Sequence, residues 1–200
     1  MVKIKLSLME KLIGLKKIKT AVFISGTGSN LKSLIKFAEI KKSPISIDLI
    51  ISNTNKAQGL GFAHKFKIKK KIFNFKNIKN AEKKILRLLE IEKIKFVCLA
   101  GFMKILSKDF IKNFDGKIVN IHPSLLPKYK GINTHYRAIN NKNKFAGCTV
   151  HYVTEKLDSG KIIIQKKVKI VAKDSPASLA KKVLKEEHKL YPAAIMKIFN

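Results

Sequence analysis

The stretch VNIHPSLLPKYKG, residues 119–131, places an amide and an imidazole two residues apart, Asn120 and His122. Pro123 and Pro127 restrict the backbone that follows them. Alternate residues of a strand share a face, so the two side chains project together. An amide N–H beside an imidazole is a donor set for an oxyanion that develops during acyl transfer. A carboxylate near the imidazole would orient its ring and favour its charged form, and the glycine-flanked turn LDSG supplies Asp158. A strand-end histidine and a turn aspartate are also common structural features, and spacing leaves both readings open. A metal site from His122, His151 and Asp158 is the rival chemistry, although the spacing matches no diagnostic ligand pattern. His151 alternates onto a strand face as a supporting residue, and His64 and His135 read as structural or surface residues. Cys98 and Cys148 each sit in an apolar run and read as buried free thiols, which fits a reducing compartment.

A second candidate site is SGTGSN, Ser25 to Asn30, between a buried strand and a helix start. Glycines there let backbone N–H groups approach an anion, and the helix dipole adds a favourable field. The spacing is not the dinucleotide fingerprint, because Leu31 stands where its last glycine belongs. The second strand also ends in Ser52 and Asn53 rather than in an acid, so a phosphate is favoured over NAD.

The elements that must position these groups follow from hydrophobic period. AVFI, ISIDLIIS, KFVCLAGF and GKIVNIH read as strands, with KIFNF as a weak one. LKSLIKFAEI, AQGLGFAHKF, NAEKKILRLLEIEKI and SKDFIKNF read as helices. Ser29 or Asn30 is expected to cap the first of these helices, an asparagine (Asn80) the third and Ser107 the fourth. This alternation predicts an α/β fold with a doubly wound, mainly parallel sheet. GCTVHYVT and GKIIIQKKVKIV then add an antiparallel strand pair in the C-terminal half. A last helix is expected to be capped by Ser175, to carry Pro176 in its first turn and to break at Pro192. No repeat or linker is present, which gives one domain over residues 19–200 after a basic N-terminal extension over residues 1–18. That extension has no unbroken apolar centre of a secretory signal, and Met9 is an alternative start.

The chain has 200 residues, 46% of them hydrophobic, and a formal charge of +30. Such a charge points first to nucleic acid or a membrane surface. Its distribution argues otherwise: nearly every cation is Lys, the lysines are scattered, and only Arg87 and Arg137 are Arg. The expectation is a solvated Lys-rich surface that attracts anionic substrates, with no specific nucleic acid as partner. No apolar run approaches the roughly 18 residues that suggest a membrane span.

FISGTGSNL, LAGFMKILS, VNIHPSLLPKYKG, THYRAI, TVHYVTEKLDSGKII and EEHKLYP occur in one order from about Lys19 to the C-terminus. Together they resemble the glycinamide ribonucleotide formyltransferases, a folate-dependent family of purine synthesis. The resemblance implies a Rossmann-like formyltransferase fold and a cytoplasmic enzyme, monomer or homodimer. It would join glycinamide ribonucleotide with 10-formyltetrahydrofolate as co-substrate and without metal. Asn120, His122 and Asp158 match the family's catalytic residues. Gly28, Ser29 and Asn30 match its phosphate loop. Glu186, Glu187 and His188 match its further ribonucleotide contacts, Glu187 facing the ribose hydroxyls. Met103, Lys104, Ile105 and Leu106, with Thr154, Glu155, Lys156, Leu157 and Asp158, match its folate site. Lys104 stands where the family usually has Arg, and Ser159 and Lys161 replace a common Gly and Pro. In the mechanism so implied, Asn120 and a protonated His122 hold the oxyanion while Asp158 keeps His122 charged. Methionyl-tRNA formyltransferase shares this chemistry but carries a further C-terminal RNA-binding domain, for which this chain ends too early. A non-enzymatic binder of anions is the rival class.

Overall fold

A computed structural model describes residues 17–199, so the basic extension falls outside the described residues except for Lys17 and Ile18. The strands are β1 (Ile18–Ile24), β2 (Ile45–Ser52), β3 (Lys69–Ile72), β4 (Phe96–Leu99), β5 (Lys117–His122), β6 (Phe145–Tyr152) and β7 (Ile162–Lys169). The helices are α1 (Ser29–Glu39), α2 (Leu60–Lys65), α3 (Ile78–Ile91), α4 (Lys108–Asn113), α5 (Thr134–Asn140) and α6 (Pro176–Phe199). One sheet has the order β3-β2-β1-β4-β5-β6-β7. It is parallel from β3 to β5, and β6 then runs antiparallel to both β5 and β7. Among the described residues no helix is long and apolar enough to cross a membrane.

The period of two sorts each central strand between two cores. Val22, Ile24, Phe96, Cys98, Val119 and Ile121 face the layer of α1 and α6. Ala21, Phe23, Val97, Leu99 and Ile118 face α3 and α4. Asn120 and His122 alternate with Val119 and Ile121, so they project to the α3–α4 side. There the helix layer ends before β5 and β6, and the uncovered sheet face is free for a site.

Four local expectations are corrected. Neither Ser29 nor Asn30 caps α1; the cap is Gly28 in the left-handed region (φ 74°), with no side-chain bond. A Cβ on Gly28 would lie 2.6 Å from the Gly59 Cα, so close backbone approach also requires glycine there. The helix α3 starts earlier than expected, because Asn77 rather than Asn80 is the cap and accepts from the Asn80 N–H at 3.0 Å. The weak strand starts two residues before KIFNF and ends inside it, at Lys69–Ile72. Pairing with Leu49–Ser52 selects it, while Phe73 and Phe75 leave the ladder to join the α3–α4 core. Finally, α6 passes through Pro192 without ending. Proline removes the N–H that would bond the His188 carbonyl. The Ser33 hydroxyl donates to that carbonyl instead, at 2.7 Å. The expected caps Ser107 and Ser175 both form, to the Phe110 and Ser178 N–H groups.

Candidate active site

The pairing of β5 with β6 sets Asn120 opposite His151 and His122 opposite Thr149. The segment after β6 folds back and brings Asp158, in a left-handed turn (φ 46°), over this pair of strands. The three residues expected to act together therefore meet. His122 Nδ1 lies 3.4 Å from Asp158 Oδ2, and Asn120 Nδ2 lies 3.5 Å from Asp158 Oδ1. His122 and Asp158 are buried.

Backbone groups fix the remaining atoms. His122 Nε2 donates to the Tyr129 carbonyl at 2.9 Å, and the Gly131 N–H donates to Asp158 Oδ2 at 2.8 Å. His151 Nδ1 donates to the Tyr152 carbonyl at 2.9 Å. This leaves His151 Nε2 as an acceptor, 3.3 Å from Asn120 Nδ2. Burial pushes the His122 imidazole below its ordinary value, against the pull of the Tyr129 carbonyl and of Asp158. Burial also pushes the Asp158 carboxyl up, but its neighbours His151 and His122, in their charged forms, and the Gly131 N–H hold it below the usual carboxylate range. With its proton on Nε2, the neutral His122 ring turns its Nδ1 lone pair toward Asp158 Oδ2, and a hydrogen bond joins the two only when the ring is charged. Among the described residues no group of three His, Cys, Asp or Glu is arranged to hold a metal ion.

These residues form part of the wall of a cavity of about 690 Å³. All of Met103–Leu106 and Thr154–Asp158, which the resemblance assigns to one ligand site, line it. Of the residues expected at the other site, Asn30 and Glu187 line it, and Gly28, Ser29, Glu186 and His188 do not. Glu186 is turned to Lys189, at 2.9 Å. His188 contributes its carbonyl to Ser33. Asn30 Nδ2 donates to Glu187 Oε2 at 2.6 Å, while Asn30 Oδ1 is buried without a partner. Burial pushes the Glu187 carboxyl up, and the bond from Asn30 offsets part of that. The Tyr191 hydroxyl anchors α6 beneath the sheet, its one hydrogen shared between the Leu99 and Val119 carbonyls at 3.0 and 3.2 Å. Five exposed apolar side chains ring the cavity: Met103, Ile105, Ile132, Tyr136 and Leu157.

Sequence reasoning missed His135. It lines the cavity from α5, and its Nδ1 is buried without a partner. Burial and the neighbouring His122 push its ring down. The motif THYRAI was visible, but a helix of seven residues between two loops gives little periodic signal of the direction its histidine takes.

A family profile for formyl transferases matches residues 18–195. The chain belongs to the formyl transferase family. Among its relatives, the human trifunctional purine biosynthetic protein adenosine-3 is 44% identical over 183 residues, 90% of this chain. The chain spans only 18% of that protein's length. The phosphoribosylglycinamide formyltransferase of Haemophilus influenzae is 41% identical over 88% of this chain and 85% of its own. The crystal structure of phosphoribosylglycinamide formyltransferase from Brucella melitensis superposes with a TM-score of 0.87, at 42% identity, over 92% of this chain and 96% of that one. The mostly parallel sheet with its antiparallel end is thus a formyl transferase fold.

Proposed function

We propose that the protein transfers the formyl group of 10-formyltetrahydrofolate to the primary amine of glycinamide ribonucleotide, in purine synthesis. One observation carries this reading. A single cavity joins an amide–imidazole–carboxylate set, a buried carboxylate–amide pair suited to a ribose, and an apolar rim suited to a flat heterocycle. The names of the bacterial relatives support it.

The deprotonated amine attacks the formyl carbon, and charge develops on the formyl oxygen. Asn120 gives one N–H to His151, and the other, which reaches Asp158 Oδ1 only at 3.5 Å, turns to that oxygen. The Tyr129 carbonyl keeps the proton of neutral His122 on Nε2, so the Nδ1 lone pair, supported by Asp158, takes the amine proton directly or through one water. The imidazolium then forms beside the oxyanion, rather than standing charged beforehand. As the carbon–N10 bond breaks, the same proton passes to N10, and the pair of side chains ends as it began. Neither cysteine takes part. Burial pushes both thiols up, Cys148 to about 12, and two unreactive free thiols suit the cytoplasm.

The first turn of α1 leaves backbone N–H groups without helical partners, which suits the ribonucleotide phosphate at Gly28–Asn30. Glu187 accepts from the ribose hydroxyls, and Asn30 Oδ1 accepts one further donor. Glu187→Gln should weaken ribonucleotide binding by about 10–100-fold, the range of a hydrogen bond to a charged group. Folate affinity should hold, as measured by titration calorimetry; equal losses for both ligands would place Glu187 outside the ribonucleotide site. Gly28 is a poor probe of the loop, because any side chain there strikes Gly59 first.

Residues 19–200 are proposed as the catalytic unit. A chain beginning at Lys17 should fold and keep full turnover, and loss of either would give the first residues a role. The deciding experiment follows the absorbance change on formyl loss from 10-formyltetrahydrofolate. Loss should require glycinamide ribonucleotide. A rate unaffected by the ribonucleotide would overturn the proposal.

A further inference from the structure

The segment Tyr129–Gly131 belongs to neither β5 nor α5, yet its backbone holds both reacting side chains. The Tyr129 carbonyl holds His122, and the Gly131 N–H holds Asp158. No ladder or helix fixes these groups. Tyr129 (φ 56°) and Asn133 (φ 58°) lie in the left-handed region, which a bulky residue adopts only when its surroundings impose it.

Arg137, on α5, supplies the constraint. Its Nη1 donates to the Lys130 carbonyl at 2.8 Å, on the residue between the two backbone contacts. Its guanidinium also stacks over the Tyr129 ring, 5.0 Å from the centroid. The Tyr129 hydroxyl is held from its far side by Asn141 Nδ2, at 3.0 Å, and by Asn143 Nδ2. A planar fork is pre-organised to lie over a ring and donate at once, whereas an ammonium is a compact, strongly hydrated point charge on a flexible stem. The composition sharpens the point. Of 43 basic residues only two are Arg; both are exposed, Arg87 on α3 and Arg137 on α5, and it is the bonds of Arg137 that set it apart. Arginine is thus kept, in a chain that uses Lys almost everywhere else, where a fork has work to do.

We infer that Arg137 is a positioning residue, which clamps Tyr129–Gly131 so that their backbone groups hold His122 and Asp158 in mutual register. It is not part of the cavity wall and touches no reacting atom. The inference rests on the proposed formyl transfer for its kinetic consequence but not for its structural one.

Arg137→Lys is the decisive change, because it keeps the charge and removes the fork. The charged and titratable groups facing His122 are Asp158 on its turn, His151 on β6, and His135 and Arg137 on α5. Arg137's own charge opposes protonation of His122, while the Tyr129 carbonyl favours it. In Arg137→Lys the charge stays and the carbonyl loosens, so the His122 midpoint in an imidazole NMR titration should fall. A residue acting only as a charge would leave it unchanged. Turnover should fall about tenfold or more, as expected when reacting groups are misplaced, with KM for both substrates within about twofold. The melting temperature should stay near the wild-type value. Tyr129→Leu should behave alike, and the double variant should cost little more than the worse single one. Wild-type turnover with an unshifted His122 midpoint in Arg137→Lys would overturn the inference. So would a parallel loss of turnover, both affinities and melting temperature. If the wild-type protein showed no ribonucleotide-dependent formyl loss, the proposed function would fall, and the NMR midpoint would still decide the role of Arg137.

Discussion

Alanine at Asn120, His122 or Asp158 should each lower kcat by about 10²–10³-fold, the usual cost of removing one donor to a developing oxyanion. Ribonucleotide and folate binding should largely survive, because Glu187, Asn30 and the apolar rim stay in place. The losses should not multiply. In the proposed mechanism His122 takes the proton only while Asp158 supports the imidazolium, so the second removal should find little left to remove. His122→Ala combined with Asp158→Ala should cost little more than the worse single change. A double variant that lost the product of both effects would show two independent roles. Near wild-type turnover in His122→Ala would return that residue to an ordinary strand-end histidine. The free protein offers a check on protonation. Burial already depresses His122, and Asp158 opposes that, so its titration midpoint should lie below about 6.5, the unperturbed histidine value. In Asp158→Asn the midpoint should fall further, since the carboxylate that favours the charged ring is gone. A midpoint above the ordinary value would instead favour an imidazole charged before the substrate arrives.

The elements around this site were legible to different degrees, for physical reasons. Strands buried on both faces read as unbroken apolar runs, so β1 and β4 stood out, while β2 and β5 showed shorter runs interrupted by Asp48 and Asn120. The period of two put Asn120 and His122 on one face without any structure. Nothing local put Asp158 beside them, because 36 residues and a reversed strand separate it from His122. The glycine-flanked turn LDSG made Asp158 a candidate carboxylate, and the resemblance to a family then joined the three. Edge strand β3 was misplaced because a lysine-rich segment was chosen by its ladder rather than by apolarity. Pro192 reads as a helix break until Ser33, distant in sequence, takes over the freed carbonyl. The Tyr129 carbonyl and the Gly131 N–H left no trace at all, since every residue type carries the first and nearly every type the second. Half of what holds the His122–Asp158 pair is therefore invisible to a reading of side chains.

Gly160→Ala should disable the site from outside the cavity. A Cβ built on Gly160 would lie 1.8 Å from the Tyr152 carbonyl oxygen and 2.8 Å from its carbon. Those are backbone atoms at the end of β6, so no side chain can swing aside. Either the Tyr152 peptide or the returning turn must move. The Tyr152 carbonyl is the acceptor that fixes the His151 ring, which in turn orients Asn120. The returning turn carries Asp158 two residues before the new methyl group. Both routes of relief displace one of the three side chains proposed to react. Overpacking of this kind costs about 1–3 kcal/mol. At roughly 2–4 °C per kcal/mol for a chain of this length, the melting temperature should drop by several degrees. Turnover should drop more sharply, by about 100-fold, because a shift of about 1 Å in a reacting group has that scale of effect. Gly61→Ala is the matched control, since a Cβ there meets nothing within 4 Å, and it should leave both quantities close to wild type. Ser159→Gly separates the turn from its neighbour. Ser159 is exposed, and its hydroxyl reaches only the Leu157 carbonyl and Lys130. Its loss should leave turnover within about threefold, as for a surface change away from the packed contact. Full activity in Gly160→Ala would mean that the loop yields without moving Asp158, and that the closing of β6 against its own return does not set the geometry of the site.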